Sequence, residues 1–362
     1  MSYIHSIFTQ TPPHSADAEQ IVNWAKAVYS SEQDFRKFKF LVAKSGIEKR
    51  YSLLPDFSDP EAAQLFKTNK GFTNPGTGVR MELYNRLANQ LALKVSRLCL
   101  KNGSFSPGDI THLITVSCTG LQAPGMEIQL SHGLGLNADI DRSAVNFMGC
   151  YAAFHALKMG DRICRSEPHA KVLIVCAEAC TLHFRQSGST DDLLSAILFG
   201  DGAAALIMTP DRVNQIGIQW LAQRSSLIHA PEEMSWKIND HGFQMRLSQE
   251  VPRLIEENIG LAFTRLMQKS GVEKPDFYAI HPGGKNILKA FETAIGVDSR
   301  DLSHSYRVLK DFGNMSSPSV LFVIESVVEE FKAQNDKSEA IVFCAAFGPG
   351  LTVETALLKL EK

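Results

Sequence analysis

The sequence has no strong charge imbalance and no long apolar run, and each absence excludes a class of function. Thirty-seven basic and thirty-nine acidic residues leave a net charge of −2, so the overall charge does not favour a nucleic acid or an anionic membrane as partner. No segment reaches the roughly 18 apolar residues that a membrane helix needs. The nearest is 320–328, which Glu325 interrupts. No basic segment followed by an apolar run opens the sequence, so we expect no secretory signal and a cytoplasmic protein.

The cysteines are odd in number and none forms a CxxC pair, which argues against a disulfide framework and against a structural zinc site. Core packing and chemical reactivity are the roles that remain for them. The seven are Cys99, Cys118, Cys150, Cys164, Cys176, Cys180 and Cys344.

What the sequence does contain is typical of a large α/β protein. Hydrophobic residues make up 44% of the sequence, as in a globular protein with a substantial core. Its 362 residues are enough for two domains or for one large domain built from two similar halves. Residues 15–44 begin as a helical pattern that gives way to a mixed, lysine-rich segment over 35–50. Beyond them, predicted helices alternate with short apolar runs that we interpret as buried strands, for example 111–116, 171–176 and 340–345.

The predicted elements recur in the same order in the second half. From Ser117 to His281 is 281 − 117 = 164 positions, and from Cys150 to Asn314 is 314 − 150 = 164 positions. An internal duplication of roughly 165 residues explains this spacing, with one half over 1–220 and the other over 221–362. Halves related by a pseudo-twofold axis would bring Cys150, His281 and Asn314 together.

These three residues form a set suited to acyl chemistry. We predict Cys150 at the start of a helix, where the partial positive charge favours the reactive thiolate; a buried, inert cysteine is the alternative. His281 could instead cap a turn, and Asn314 could be an ordinary helix cap. As a group, they would hold an acyl thioester and offer two hydrogen-bond donors to an oxyanion. If that charge is an enolate formed by decarboxylation, the set makes carbon–carbon bonds.

Four motifs carry these residues and a glycine-rich turn near the C-terminus: Phe147-Met148-Gly149-Cys150-Tyr151-Ala152-Ala153, Ile280-His281-Pro282-Gly283-Gly284, Gly313-Asn314-Met315-Ser316-Ser317 and Phe347-Gly348-Pro349-Gly350-Leu351-Thr352-Val353-Glu354-Thr355. They resemble the type III polyketide synthases, the chalcone synthase-like branch of the thiolase fold, in a bacterial-looking form. The resemblance implies a five-layered αβαβα core, a homodimer, and iterative condensation of malonyl-CoA onto a CoA-linked starter, with no cofactor beyond these CoA thioesters. It also implies Cys150 as the nucleophile, with His281 and Asn314 binding the thioester carbonyl.

Further site residues follow from the same resemblance. Phe199 matches the phenylalanine between the CoA tunnel and the cavity, whereas the family's second gatekeeping phenylalanine aligns with Met245, for which Phe243 could compensate. Ser316 matches a serine near the nucleophile. The turn Gly348-Pro349-Gly350 would shape the cyclisation cavity.

The cavity lining departs from the plant chalcone-forming pattern. Cys118 and Cys180 stand where those enzymes carry threonines, and Ala123 replaces a methionine that reaches across the dimer. The lost volume is either a ligand tunnel or space that neighbours refill. We therefore expect an aliphatic starter and a pyrone, resorcinol or phloroglucinol-type product. The local alignment at His183 is less secure.

Lys37 and Lys44 match basic residues that hold the CoA phosphates, but Phe40 stands where the family has an intervening arginine. Lys39 or Lys285 could substitute for it. An acyl carrier protein is a further possible partner, and the sequence does not distinguish it from CoA as the acyl donor.

Other functions of the same fold are also compatible with the sequence. A single-condensation ketoacyl synthase uses the same three residue types but releases no ring. A degradative thiolase would need a second active cysteine, and Cys344 lies inside an apolar strand that favours packing. A non-catalytic binding protein of this fold would have no need for the intact set.

Overall fold

The computed structural model describes residues 1–68, 71–212 and 216–362. Within these ranges, no helix combines the length and apolarity needed to cross a bilayer. The strands are β1 (Tyr3–Gln10), β2 (His14–Asp17), β3 (Lys49–Ser52), β4 (Lys67–Thr68), β5 (Gly71–Phe72), β6 (His112–Ser117), β7 (Asp141–Asn146), β8 (Val172–Ala179), β9 (Asp201–Thr209), β10 (Gly217–Leu227), β11 (Met234–Asn239), β12 (Gly242–Leu247), β13 (Phe277–Ile280), β14 (Glu339–Gly348) and β15 (Thr352–Glu361). The helices are α1 (Ala18–Val28), α2 (Glu32–Ser45), α3 (Thr77–Gly103), α4 (Met126–Leu134), α5 (Ala152–Ser166), α6 (Thr190–Leu198), α7 (Val251–Ser270), α8 (Lys285–Ile295), α9 (Ser303–Phe312) and α10 (Ser319–Ala333).

One nine-stranded sheet contains the repeat that the sequence spacing indicates. Its order is β13-β14-β15-β10-β1-β9-β8-β6-β7, with β1 and β10 paired antiparallel in the middle. Outward from the middle, each side has two antiparallel pairings and then a parallel one: β1-β9-β8-β6 on one side and β10-β15-β14-β13 on the other. The two halves therefore share one strand order, and β7 is an additional edge strand.

Alternating side chains along the strands divide the core into three apolar regions. On β8, Ile174 and Cys176 face a region shared with α5 and α10, whereas Leu173 and Val175 face a second region shared with α1 and α3. In the second half, strand residues such as Phe343 face a third region with α7 and α8. A layer of helices thus lies between the two half-sheets and one more layer covers each outer face, which confirms the predicted αβαβα fold.

The N-terminal segment differs from the sequence-based prediction. Residues 3–10 form a central strand, and the helical pattern divides into α1 and α2, so that most of the segment predicted as mixed is helical. The side chain of Asp17 caps α1, that of Ser31 caps α2, and Gly46 ends α2 in the left-handed conformation. The prediction failed because β1 has no regular polar–apolar alternation, while the caps fall inside an otherwise continuous helical period.

A backbone bridge joins the two halves beside the candidate site. The amide of Asn314 donates to the carbonyl of Leu198 (2.9 Å), and the amide of Gly200 donates to the carbonyl of Asn314 (3.0 Å). The buried guanidinium of Arg50 donates to the carbonyl of Phe199 (2.8 Å). Burial lowers the pKa of Arg50 to about 10, which leaves it charged at neutral pH. The loop before α10 is thereby fixed to the end of α6.

Replacing Gly313 by alanine tests how closely this bridge is packed. Gly313 has a φ of +70°, and an added Cβ would lie 2.8 Å from the carbonyl oxygen of Leu198. That oxygen is unable to move without loss of the bridge. We expect Gly313→Ala to lower the free energy of unfolding by roughly 2–4 kcal/mol, from the positive φ and the overpacking together, as measured by denaturant titration.

Gly296→Ala is the control for a positive φ without a close contact, because Gly296 has a φ of +74° and a ψ of +36° and an added Cβ would have no neighbour within 4 Å. Its expected cost is about 1–2 kcal/mol from this left-handed conformation alone. Gly313 has a ψ of −158°, in a region that is essentially restricted to glycine, so its larger expected loss reports that conformation together with the contact. Equal losses in the two variants would show that neither adds to the cost of a positive φ.

Candidate active site

Cys150 lies in the turn immediately before α5, against the turn that joins β14 to β15. The helix begins at Ala152, two residues after Cys150, with Tyr151 as its N-cap. Cys150 therefore lies just before the helix and not at its predicted start. Gly149 has a φ of +83°, and a Cβ there would lie 2.7 Å from Cδ of Pro349. A Cβ at Gly348 would lie 2.4 Å from the ring of Tyr151. Both glycines are therefore needed for the two turns to pack together.

Asn314 directs its side-chain amide at the thiol. Its Oδ1 accepts a hydrogen bond from the backbone amide of Ser316 (2.8 Å), and this bond orients the carboxamide so that Nδ2 faces Cys150 Sγ at 3.7 Å. The carbonyl oxygen, at 3.8 Å from Sγ, is already occupied. The 164-residue spacing in the sequence thus corresponds to a direct contact.

His281 follows β13 and lines the same cavity as Cys150 and Asn314. Its backbone amide donates to the carbonyl of Ala345 (2.8 Å), which fixes the residue at the end of the sheet. The residue is only 1% exposed, and neither ring nitrogen has a hydrogen-bond partner. Because unpaired buried polar atoms are costly, this imidazole is the group in the site that most needs a ligand.

Burial sets the protonation of both groups. It raises the pKa of the Cys150 thiol to about 11, opposed by hydrogen bonds from Asn314 and Ser316, and it lowers the pKa of His281 to about 3. Both are therefore neutral at pH 7, so the predicted effect of the helix N-terminus on the thiol is outweighed by burial. Transfer of the thiol proton to the imidazole would create opposite charges, which attract strongly in an apolar cavity.

Glu178 is a buried acid beside the site that the sequence analysis missed. Its carboxylate accepts hydrogen bonds from the backbone amide of Cys118 (3.0 Å), from the hydroxyl of Thr119 (2.6 Å) and from Ser317. Burial raises the pKa of Glu178, whereas these donors oppose the shift. A single acid within the apolar run of β8 could have revealed it, because such a group requires partners.

Cys118 and Ser316 connect this network to the cavity. The sulfur of Cys118 lies 3.1 Å from the Glu178 carboxylate and 3.0 Å from the hydroxyl of Ser316. Ser316 has a φ of +61°, a conformation that directs its backbone amide to Asn314. The two predicted residues are therefore linked both to the buried acid and to the amide that faces the thiol.

An apolar cluster closes the site on the side away from α5. Phe199, Met245 and Cys180 pack with Cys150, and Trp236 and Leu247 cover them. Two adjoining cavities share Cys150, Phe199 and Met245 in their walls. Pro349 lines the first cavity, next to Cys118 and Cys180. Of the predicted lining residues, the structure places these six around the thiol: Cys118, Cys180, Phe199, Met245, Ser316 and Pro349.

The hairpin of β11 and β12, which supplies Trp236 and Met245, is fastened to the end of β6. The indole of Trp236 donates to the carbonyl of Cys118 (2.8 Å). His183 accepts a hydrogen bond from the amide of Phe243 (3.0 Å) and contacts the carbonyl of Thr119 (2.7 Å). The ring therefore carries its proton on Nε2, and burial lowers its pKa to about 3. No short-range pattern identifies these residues, because their partners are far away in the sequence.

Four predicted positions lie outside the cavity. Ala123 is exposed in the loop between β6 and α4, so it does not line the cavity of its own chain. Lys37 and Lys44 are exposed on α2, and Lys285 is exposed at the first position of α8. Two more predicted residues, Gly348 and Gly350, flank Pro349 in the β14–β15 turn but line neither cavity. Gly350 has a φ of +126°.

The model for the N-terminal domain of chalcone and stilbene synthases matches residues 2–212, and the model for the C-terminal domain matches residues 220–360. The chain belongs to this family. It is a type III polyketide synthase, an acyltransferase-type enzyme, as the four motifs predicted.

Relatives and solved structures agree with the assignment. Type III polyketide synthase A of Arabidopsis thaliana is 32% identical over 332 residues, which cover 89% of this chain and 83% of the relative. An alpha-pyrone synthesis polyketide synthase-like protein of Mycobacterium tuberculosis is 33% identical over 288 residues, covering 78% and 73%. The crystal structure of PKS-I from the brown alga Ectocarpus siliculosus matches this type III polyketide synthase with a TM-score of 0.92, at 26% identity and 99% and 97% coverage.

The depressed pKa of His281 makes a pH-dependent contribution to the stability of this synthase. Below pH 6.5 an imidazole in the unfolded chain gains a proton that the buried ring does not accept above about pH 3. Stability is therefore lost as the pH falls, by up to about 1.4 kcal/mol per pH unit from this one group. We expect His281→Ala to reduce the pH dependence of the unfolding free energy by that amount between pH 6 and 4.

His241, which is exposed at the β11–β12 turn, provides the control. The His241→Ala variant should retain the wild-type pH dependence in the same denaturant titrations. A His281→Ala variant with an unchanged slope would mean that the ring takes up a proton in the folded protein.

Proposed function

We propose that this type III polyketide synthase loads an aliphatic acyl group from an acyl-CoA starter onto Cys150, extends it by repeated decarboxylative condensation with malonyl-CoA, and cyclises the chain to a pyrone, resorcinol or phloroglucinol-type product. The observation that carries the proposal is the convergence of Cys150, Asn314 Nδ2 and the unpartnered ring of His281 on one apolar cavity. No cofactor other than the CoA thioesters enters the scheme.

Loading begins with proton transfer from Cys150 to His281. The thiolate attacks the carbonyl carbon of the acyl-CoA, the new carbon–sulfur bond forms, and the bond to the CoA sulfur breaks. The proton on the imidazole passes to the departing CoA thiolate, so both catalytic groups end the step neutral. Cys150 and His281 carry charge only during the reaction, so their burial in the neutral resting state is tolerated.

Condensation uses the same two donors. Loss of carbon dioxide from malonyl-CoA leaves an electron pair in a thioester enolate, and its oxygen accepts hydrogen bonds from a ring N–H of His281 and from Asn314 Nδ2. The enolate carbon then attacks the acyl group on Cys150, a carbon–carbon bond forms, and the thiolate leaves. Preorganised donors in a cavity without water contribute strongly to stabilising such a charge.

The walls of the cavity support an aliphatic starter. Phe199, Met245 and Trp236 offer apolar surface, and the indole N–H is already bonded to Cys118. The two hydroxyls in the same wall are also engaged, that of Thr119 with Glu178 and that of Ser316 with Cys118. The mycobacterial relative named for alpha-pyrone synthesis is consistent with a pyrone product. Gly348, Pro349 and Gly350 would shape the space in which the extended chain folds.

A homodimer would give Ala123 its role. The residue is exposed in the single chain, and its loop follows the same β6 segment that anchors the β11–β12 hairpin. We infer that Ala123 of one subunit faces the cavity of its partner, where the small side chain leaves room for a long acyl tail. Lys37, Lys44 and Lys285, all exposed on one side of the site, would attract the phosphates of CoA.

Purified protein incubated with labelled malonyl-CoA and a series of acyl-CoA starters tests the function. We expect chain-extended, cyclised products from aliphatic starters. We expect Cys150→Ala to reduce turnover at least about a thousand-fold, because the nucleophile is lost. Cys344→Ala is the matched control: Cys344 is buried within β14, away from the cavity, and its loss should preserve activity.

The product analysis also separates the alternatives. Release of singly extended, open-chain products alone would identify a single-condensation ketoacyl synthase. No malonyl-CoA-dependent product with any starter would reject the proposed function, and undiminished extension by Cys150→Ala would remove the cysteine from its role.

Ala123→Met tests the tunnel. The longer side chain should occupy the space proposed for the acyl tail, so kcat/KM for long-chain starters should fall at least about tenfold while short starters change less than about twofold. The chain-length series is measured with one malonyl-CoA concentration. Equal losses for long and short starters would contradict a specific tunnel at this position.

A further inference from the structure

Helix α2 displays an exposed aromatic ring on a basic face. Phe40 is 62% exposed, whereas Phe38 of the same helix is buried in the core. Lys37, Phe40 and Lys44 are spaced i, i+3 and i+7, so they share one side of the helix. The amine of Lys44 lies 5.9 Å from the centre of the Phe40 ring. We call Lys37, Phe40, Lys44 and Lys285 the α2 patch.

The α2 patch lies next to the start of α8, which forms part of the wall of the cavity that contains Cys150. Gly283 and Ile287 line the same cavity as Cys150 and His281. Lys285 lies between them in sequence, at the exposed start of α8. The end of α2 is adjacent, because a Cβ on Gly46 would lie 3.6 Å from Cδ of Lys285. A substrate arm that enters beside α8 would therefore leave its carrier over the α2 patch.

The charge of the α2 patch is only weakly compensated. Within the described part of the chain, no carboxylate lies within 4 Å of the amine of Lys44 or of Lys285, and that of Lys37 is 3.9 Å from Asp34. Aromatic residues are enriched at protein interfaces, where they anchor a partner, and nearby charges orient a partner of opposite charge. A site that bound only phosphates would favour arginine over phenylalanine at position 40.

We propose that the α2 patch binds an acidic acyl carrier protein, which presents a phosphopantetheine-linked acyl group to Cys150. The inference rests on the proposed function, because it names a donor for the same loading step. The bond between the acyl carbon and Cys150 Sγ forms, the bond to the pantetheine sulfur breaks, and the thiol proton passes through His281 to that sulfur. Acyl-CoA still enters by the same route.

The test compares two donors of one acyl group. A bacterial fatty-acid acyl carrier protein of net negative charge and CoA are each loaded with the same aliphatic acyl chain, and malonyl-CoA is the extender in both assays. We expect Phe40→Ala to lower kcat/KM for the acylated carrier protein at least about tenfold and to change that for acyl-CoA less than about twofold. Turnover of acyl-CoA also reports that the variant is folded.

Leu261→Ala is the matched control. Leu261 is an exposed apolar residue (54%) on α7, and its neighbour Gly260 lies beside Ala294, at the other end of α8 from Lys285. Lys285 and Ala294 are nine positions apart along α8, or about 13 Å. Neither donor should be affected by this variant. Rising salt should slow wild-type turnover of the acylated carrier protein more steeply than wild-type turnover of acyl-CoA.

Three outcomes would overturn the inference. Equal loss of both donors in Phe40→Ala would assign the ring to CoA. Wild-type turnover of acyl-CoA with no use of the acylated carrier protein would reject the carrier protein but leave the proposed function standing. Turnover of neither donor would reject the proposed function, and the docking surface with it.

Discussion

The geometry of the active site depends on the bridge between the end of α6 and the loop before α10. Two backbone hydrogen bonds fix Asn314 to Leu198 and Gly200, so the amide that faces the thiol and the ring of Phe199 are held in one arrangement. The guanidinium of Arg50 donates to the carbonyl of Phe199. Because the loop belongs to one half of the chain and Phe199 to the other, the candidate site is complete only when both halves have folded and docked.

Much of this arrangement could be predicted from the sequence. Offsets of 164 residues grouped Cys150, His281 and Asn314, and the strand and helix order indicated the layered fold, because short apolar runs and helical periods are local signals. The central strand β1 was missed for the same reason, since its position in the sheet is set by partners about 200 residues away. The separation of α1 from α2 depended on side-chain caps within a continuous period.

Electrostatics of the site were harder to predict than its members. A cysteine before a helix suggested a thiolate, but complete burial has the opposite and larger effect on its pKa. Whether a titratable group is buried depends on the packing of distant segments, which a linear pattern does not report. The same reason explains why Trp236 and His183 were not identified, although a lone acid in an apolar strand could have pointed to Glu178.

The β11–β12 hairpin comes from the second half of the chain, yet its anchors are Cys118, Thr119 and His183 of the first half. This wall of the candidate site is therefore built from residues of both halves. Substitutions in one half act on side chains that the other half holds in place. A chimera that joins halves from two such enzymes would inherit a mismatched wall even if each half kept its own fold.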